Sequence, residues 1–127
     1  MFHFRQKMNK NTLVLGASEN PDRYSNKAIK ALVNHGIKVF AIGRRPGKIN
    51  EIIIKIGPQK IDSLDTVTIY LNAKNQLPYY NYILDLKPRR IIFNPGAENP
   101  ELAQKASALN ILSENACTLV LLSTNQF

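Results

Sequence analysis

Three segments of this chain combine glycine or proline turns with hydroxyl, amide or cationic side chains, a mixture suited to holding a phosphorylated ligand. The first is Gly16-Ala17-Ser18-Glu19-Asn20-Pro21-Asp22-Arg23. Gly16 permits a tight turn, and small Ala17 and Ser18 leave backbone N–H groups accessible. A helix starting just beyond would turn its positive N-terminus toward a phosphate. Ser18 and Ser25 add hydroxyl donors, and Arg23 and Lys27 add charge. The second segment, Gly43-Arg44-Arg45-Pro46-Gly47-Lys48, sets three cations, Arg44, Arg45 and Lys48, within five residues. The third comprises Asn72-Ala73 and Asn94-Pro95-Gly96-Ala97-Glu98-Asn99, where Pro95-Gly96 gives a backbone-rich loop. The plain alternatives are a strand-to-helix connection, a solvated basic loop and a turn.

No catalytic set stands beside these segments. His3 lies in a polar N-terminal stretch, and His35 ends a helical pattern where it complements the helix dipole. Neither has an acid or nucleophile nearby in sequence. Cys117, the single cysteine, reads first as a small buried residue. At a helix start it would be the candidate reactive thiol of an enzyme reading. Tyr79, Tyr80 and Tyr82 read as packing residues. The carboxylates show no paired or metal-ligand spacing, so no metal is expected.

The elements that must position these segments follow from apolar runs and their punctuation. Residues 1–11 are polar and basic and are expected to form a flexible tail, partly packed by Phe2 and Phe4. Residues 12–127 form one domain. Thr12 to Leu15 is a buried-strand signal closed by Gly16. Ser25 to His35 reads as a helix, with Ala28, Ile29, Leu32 and Val33 on one face and Gly36 as its stop. Ile37 to Ile42 is a second strand. Arg44 to Asn50 reads as a loop, Ile52 to Ile56 as a short strand, and Ser63-Leu64 as one helical turn. Thr66 to Leu71 is a β-branched strand. Leu77, Tyr80, Ile83 and Leu84 give a helical face ended by Lys87-Pro88. Arg90 to Phe93 is another strand. Asn99-Pro100 caps a helix whose buried side is Leu102, Ala103, Ala106 and Leu109. Asn110 to Leu112 reads as a brief strand, and Ser113 to Ala116 as the cap and first turn of a terminal helix.

Continuous apolar strands alternating with helices imply a parallel sheet covered on both faces. The expected fold is therefore α/β: a Rossmann-like, doubly wound, mainly parallel sheet of about five strands. In such sheets ligands sit outside the carboxyl ends of the strands, where the strand order reverses. The first loop lacks the second and third glycines of G-x-G-x-x-G, so the dinucleotide fingerprint fails. NAD-binding domains place an acid after the second strand, on the ribose 2′-OH. Here Arg44, Arg45 and Lys48 stand in that place and suit a ribose phosphate, which NADP and coenzyme A both carry.

Composition narrows the classes. The chain has 127 residues and a net charge of +8. Residues 1–63 hold 12 Lys/Arg against 4 Asp/Glu, whereas residues 64–127 hold 5 of each, so the first half carries the whole excess. That asymmetry points to an anionic partner. No apolar run reaches the roughly 20 residues of a membrane helix, and no secretory signal is visible. One cysteine allows no internal disulfide, which fits a reducing cytoplasm. No helix carries a basic stripe and the aromatics are not interleaved with cations, which disfavours nucleic acid.

Taken together, Gly16-Ala17-Ser18, Asn20-Pro21-Asp22-Arg23-Tyr24-Ser25, Phe93-Asn94-Pro95-Gly96, Glu98-Asn99-Pro100-Glu101 and Glu114-Asn115-Ala116-Cys117-Thr118 resemble the small single-domain CoA-binding proteins. These are similar to the N-terminal CoA-binding domain of the succinyl-CoA synthetase alpha subunit. The resemblance runs from about Asn11 to Leu122. It implies a Rossmann fold whose phosphate loop is Gly16 to Ser18 with Arg23 and Ser25. Pro46-Gly47-Lys48 matches a segment whose lysine meets CoA, and Leu71 to Ala73 and Asn94 to Gly96 line the rest. The synthetase's phosphohistidine domain has no counterpart here, so the ligase reaction is not implied. The expectation is a binder of CoA or an acyl-CoA, acting as carrier, sensor or accessory protein. An NADP- or acyl-CoA-dependent enzyme needing a partner chain, and a basic nucleic-acid-binding domain, are the alternatives. A homodimer or a partner enzyme stays open.

Overall fold

The computed structural model describes residues 9–127. The elements are β1 (Thr12–Ala17), α1 (Tyr24–Asn34), β2 (Val39–Gly43), β3 (Gly47–Ile49), β4 (Ile52–Lys55), β5 (Thr66–Ile69), α2 (Ala73–Gln76), a 3-10 turn (Leu77–Tyr79), α3 (Tyr80–Asp85), β6 (Arg90–Phe93), α4 (Pro100–Ala108), β7 (Leu112–Asn115) and α5 (Thr118–Ser123). They build one seven-stranded sheet in the order β3-β4-β2-β1-β5-β6-β7. All neighbours are parallel except the β3–β4 pair. β1 is central. The chain first builds outward through β2 and then returns to the other side of β1 with β5, so the strand order reverses between β1 and β5.

Alternation along the strands divides two cores. Leu13 and Leu15 of β1, Val67 and Ile69 of β5, and Ile91 and Phe93 of β6 face one side, under Ile83 of α3 and Leu102 and Ala106 of α4. Val14 of β1, Ala41 of β2 and Ile54 of β4 face the other, under Ile29 and Leu32 of α1 and Leu122 of α5. Each fully buried Leu or Ile contributes about 1.5–3 kcal/mol. α1 stops where the glycine predicts: Gly36 adopts φ +74°, and the amides of His35, Gly36 and Ile37 bond back to the last turn. His35 Nδ1 also meets the Ala31 carbonyl at 2.8 Å.

The sheet has seven strands, not about five. One extra strand comes from the segment read as a basic loop. Gly47–Ile49 pairs antiparallel with β4, placing Ile49 opposite Ile52 across a two-residue turn. Asn50 makes that turn at φ +51°, and Ile49 is buried. The other change lies at the far edge, where the brief strand read over Asn110 to Leu112 is shifted to Leu112–Asn115. Ser113 to Asn115 extend β7 along β6 instead of opening the last helix, and Asn110 is a turn residue at φ +61°. Parallel pairing won there over a capping pattern, although every residue of β7 is exposed. α5 starts at Thr118, after Cys117.

Three smaller expectations also shift. Ser63 adopts φ +57° in a bend, so no helical turn forms there. The helix expected from Leu77 opens as a 3-10 turn that holds Pro78 and continues as α3, with α2 before it, and Leu77 is exposed. Leu109 lies past the last turn of α4 and is exposed as well. The tail expectation over residues 1–8 lies outside the described residues. Asn9 and Asn11 side chains donate to the Ser63 carbonyl, and the Asn11 carbonyl accepts from the amides of Asp65 and Thr66.

Candidate functional site

Gly16 and Gly43 bring the ends of β1 and β2 together. Gly16 adopts φ +101°, and a Cβ there would lie 3.2 Å from Tyr70. At Gly43 a Cβ would meet the Ala17 carbonyl oxygen at 2.4 Å, a backbone contact that excludes any larger residue. The β1–α1 loop therefore passes directly over the end of β2. Beside this crossing lies a cleft of about 210 Å³, lined by Leu15, Gly16, Ile42, Gly43, Arg44, Leu71, Asn75 and Tyr79. It sits at the carboxyl ends of β1, β2 and β5, where the strand order reverses, the usual ligand position in open α/β sheets.

The β1–α1 loop holds its shape through short-range bonds. Ser18 Oγ accepts from the Asn20 amide at 3.1 Å, and Asn20 Oδ1 accepts from the Asp22 amide at 3.0 Å. Asn26 on α1 donates to the Ser18 carbonyl at 3.0 Å, tying loop to helix. Lys27 Nζ donates to the Pro21 carbonyl at 3.0 Å, so its charge is partly used inside the loop. Arg23 occupies the N-cap position of α1 without a side-chain cap bond, and the first turn carries no acidic residue. The helix thus offers its positive end uncompensated. Ser25, in that first turn, is buried.

Arg23, Arg44, Arg45 and Lys48 are exposed. Among the described residues the only ion pair joins Arg89 to Asp65, so these four cations have no carboxylate partner. The two loops are joined by Glu19, whose Oε2 accepts from the Lys48 amide at 2.9 Å. Arg44 reaches the cleft lining, while Ala17 at the end of β1, Ser18 and Arg45 in the loops and Lys48 in β3 flank it.

The remaining predicted residues divide. Asn72 caps α2 by accepting from the Asn75 amide at 2.9 Å, which sets Asn75 at the cleft. Asn94 is buried, and its bonds are consumed internally. Its Nδ2 donates to Thr68 Oγ1 at 2.7 Å and to the Ile69 carbonyl at 3.0 Å, and its Oδ1 accepts from the Thr118 amide at 2.9 Å. Asn94 therefore locks β5, β6 and α5 together, and its side chain positions the rim. Pro95 and Gly96 are exposed at the same end of the sheet but do not line the cleft.

Behind the Leu71 wall, fully buried Gln76 donates to the carbonyls of Leu71 at 2.9 Å and Ala97 at 2.7 Å, and accepts from Asn99 at 2.8 Å. Asn99 in turn caps α4 through the Leu102 amide at 3.1 Å. Beneath Gly16, burial pushes the Tyr70 phenol up to about 12, so it stays protonated near neutral pH. Leu71, which the family resemblance set in the lining, does stand there, whereas the sequence reading missed Leu15, Ile42, Asn75 and Tyr79. The first two belong to strand ends already recognised, and the Asn72-x-x-Asn75 spacing was a capping signal for the third.

An apolar-walled cleft at the strand ends, flanked by unpaired cations and an uncompensated helix start, is the arrangement of α/β domains that hold anionic ligands. A family model described as a CoA binding domain matches residues 10–123, and the chain belongs to that family. It is similar to an uncharacterised protein of known crystal structure at 44% identity and TM-score 0.91, covering 95% of this chain and 100% of the other. A Thermus thermophilus structure shares the fold at 18% identity and TM-score 0.81, covering 94% and 91%. A hypothetical protein from Pyrococcus horikoshii OT3 does so at 22% identity and TM-score 0.79, covering 88% and 80%. Comparison with curated proteins gives no match.

Proposed function

We propose that the chain is a Rossmann-like, doubly wound domain that binds coenzyme A or an acyl-CoA, in a carrier, sensor or accessory role. The observation that carries this reading is the meeting of an apolar cleft with unpaired cations on two loops, in a chain of the CoA-binding family. In this reading the backbone of Gly16, Ala17 and Ser18, with Arg23 and Ser25, takes the pyrophosphate at the start of α1. Arg44, Arg45 and Lys48 take the 3′-phosphate of the ribose. The strand-end segments at Asn72 and at Asn94, Pro95 and Gly96 border the rest of the ligand, Asn94 by holding its loop in place. A cleft of about 210 Å³ is smaller than the usual site for a drug-sized ligand, so CoA would fill it with one part and lie across the loops with the others. The free Cys117 fits a reducing cytoplasm.

A ligand that binds only the folded state stabilises it by RT ln(1 + [L]/Kd). CoA at 100 times its Kd is expected to add about 2.7 kcal/mol and to raise the melting temperature accordingly. NAD, which lacks a ribose phosphate, is expected to do much less. Equal shifts from the two ligands, read by scanning fluorimetry, would remove the proposal.

A further inference from the structure

Glu19 carries a charge of the wrong sign for the loops that surround it. It lies between the uncompensated start of α1 and the Arg44–Lys48 segment, yet forms no ion pair with any of their cations among the described residues. Instead it crosses to the other loop, where Oε2 accepts from the Lys48 backbone amide at 2.9 Å. Gly47 makes this approach possible. A Cβ at Gly47 would lie 2.5 Å from both Cγ and Cδ of Glu19. Gly47 does not adopt a positive φ, so the contact uses its missing side chain and not its conformational freedom. The β1–α1 loop does not depend on the crossing for its shape, because Ser18 and Asn20 already close its turns. What the crossing does is occupy a backbone donor beside three cations with an internal anion.

We propose that Glu19 is a specificity-determining gate: its carboxylate holds the Lys48 amide until a ligand phosphate displaces it, and so sets how strongly the site accepts a phosphorylated ribose. The inference rests on the CoA reading for the identity of that phosphate. Two like charges about 6 Å apart near a protein surface repel enough to change an equilibrium several-fold. Dephospho-CoA brings no phosphate to this place and has nothing to displace.

The test is calorimetry of CoA and dephospho-CoA on the wild type, Glu19→Gln and Gly47→Ala. Glu19→Gln keeps an oxygen for the Lys48 amide and removes the charge. CoA affinity is expected to rise about 3- to 10-fold, with dephospho-CoA within about 2-fold. Gly47→Ala forces the carboxylate off the amide while retaining the charge, and is expected to shift CoA in the same direction by less. The Lys48 amide resonance should move in Gly47→Ala and in CoA-bound wild type. Unchanged or weakened CoA binding by Glu19→Gln would overturn the gate. If none of the three proteins binds either ligand, the CoA reading fails, and inorganic pyrophosphate becomes the probe. Displacement of the Lys48 amide resonance at lower pyrophosphate in Glu19→Gln than in the wild type would then uphold the gate, and identical responses would overturn it.

Discussion

The dipeptide Arg-Arg occurs twice in this chain, at opposite ends of the sheet and in opposite circumstances. Arg44-Arg45 follows the carboxyl end of β2, exposed and without an ion-pair partner among the described residues. Arg89-Arg90 enters the amino end of β6. There Arg89 makes a two-pronged bond to Asp65, Nε to Oδ1 at 2.8 Å and Nη2 to Oδ2 at 3.1 Å. Arg90 is 6% exposed. It lies 4.5 Å over the Phe127 ring, with Nε 3.3 Å from Thr66 Oγ1. The same residues thus close one end of the sheet and leave the other end charged. Cations engaged within the fold act as staples, although Arg90 Nη2 is buried without a hydrogen-bond partner, and cations left unpaired around a cleft are available to a ligand. In sequence the two pairs look alike, and only their neighbours separate them.

The largest expected effect tests the staple. Asp65→Ala removes both bonds to Arg89 and the acceptor of the Thr66 hydroxyl, and leaves buried Arg90 with Glu114 as its remaining nearby negative charge. Losing one partner of a buried pair costs about 3–5 kcal/mol. Because Arg89 is half exposed, about 2 kcal/mol is expected here, read as a lower urea midpoint. Arg44→Ala and Arg45→Ala are expected to stay within about 0.5 kcal/mol of the wild type. Comparable losses at both ends would break the comparison.

The next effect reverses the contrast by reading ligand affinity instead of stability. Hydrogen bonds to charged groups contribute about 1.5–3 kcal/mol, reduced by exposure and salt. Arg45→Ala or Lys48→Ala is accordingly expected to weaken CoA about 10-fold while sparing dephospho-CoA. Lys105→Ala, on α4, is expected to change neither. Equal affinity of the wild-type protein for CoA and dephospho-CoA, measured by calorimetry, would return Arg44-Arg45 to the status of solvated surface.

How much of this was legible before the fold was known depends on what each residue's role required. β1, α1 and β6 could be read because their signals are local: an apolar run, a 3.6-residue stripe, a glycine stop. Gly16, Arg44 and their loops could be read because strand ends carry ligands in any such sheet. β3 could not be read as a strand, since its reason is Ile49 reaching a core shared with α1 and α5. β7 could be read only in part, as a brief strand ending at Leu112, because its four residues are all exposed and only the edge of β6 carries the strand on to Asn115. Asn94 shows the same limit at the site. Its sequence neighbourhood, Asn-Pro-Gly, is that of a ligand loop. Its hydrogen bonds, to residues 24–26 positions away in either direction, make it scaffold. Glu19 is the converse case: a loop carboxylate with no local signal whose partner lies 29 residues on.

The smallest expected effect is a pH dependence confined to the stapled pair. Burial pushes the Asp65 carboxyl up. The hydrogen bonds from Arg89 and Thr66, with the charges of Arg89 and Arg90, more than offset this and hold it below the usual carboxylate range. A folded-state value below the unfolded one means that the contribution is fully present above the unfolded pKa of about 3.9. It is lost as pH falls through the lower folded value. Asp65→Asn keeps an acceptor for Thr66 and cannot titrate. It is expected to be less stable than the wild type at pH 6 by up to about 1 kcal/mol, in line with a partly exposed pair. The gap between the two proteins should close as pH falls below about 4. Arg44→Ala, with no carboxylate partner to titrate, should show no such convergence. If the Asp65→Asn gap stays constant down to pH 3, Asp65 titrates as it does in the unfolded chain. The contrast between the two arginine pairs would then rest on the stacking of Arg90 against Phe127 alone.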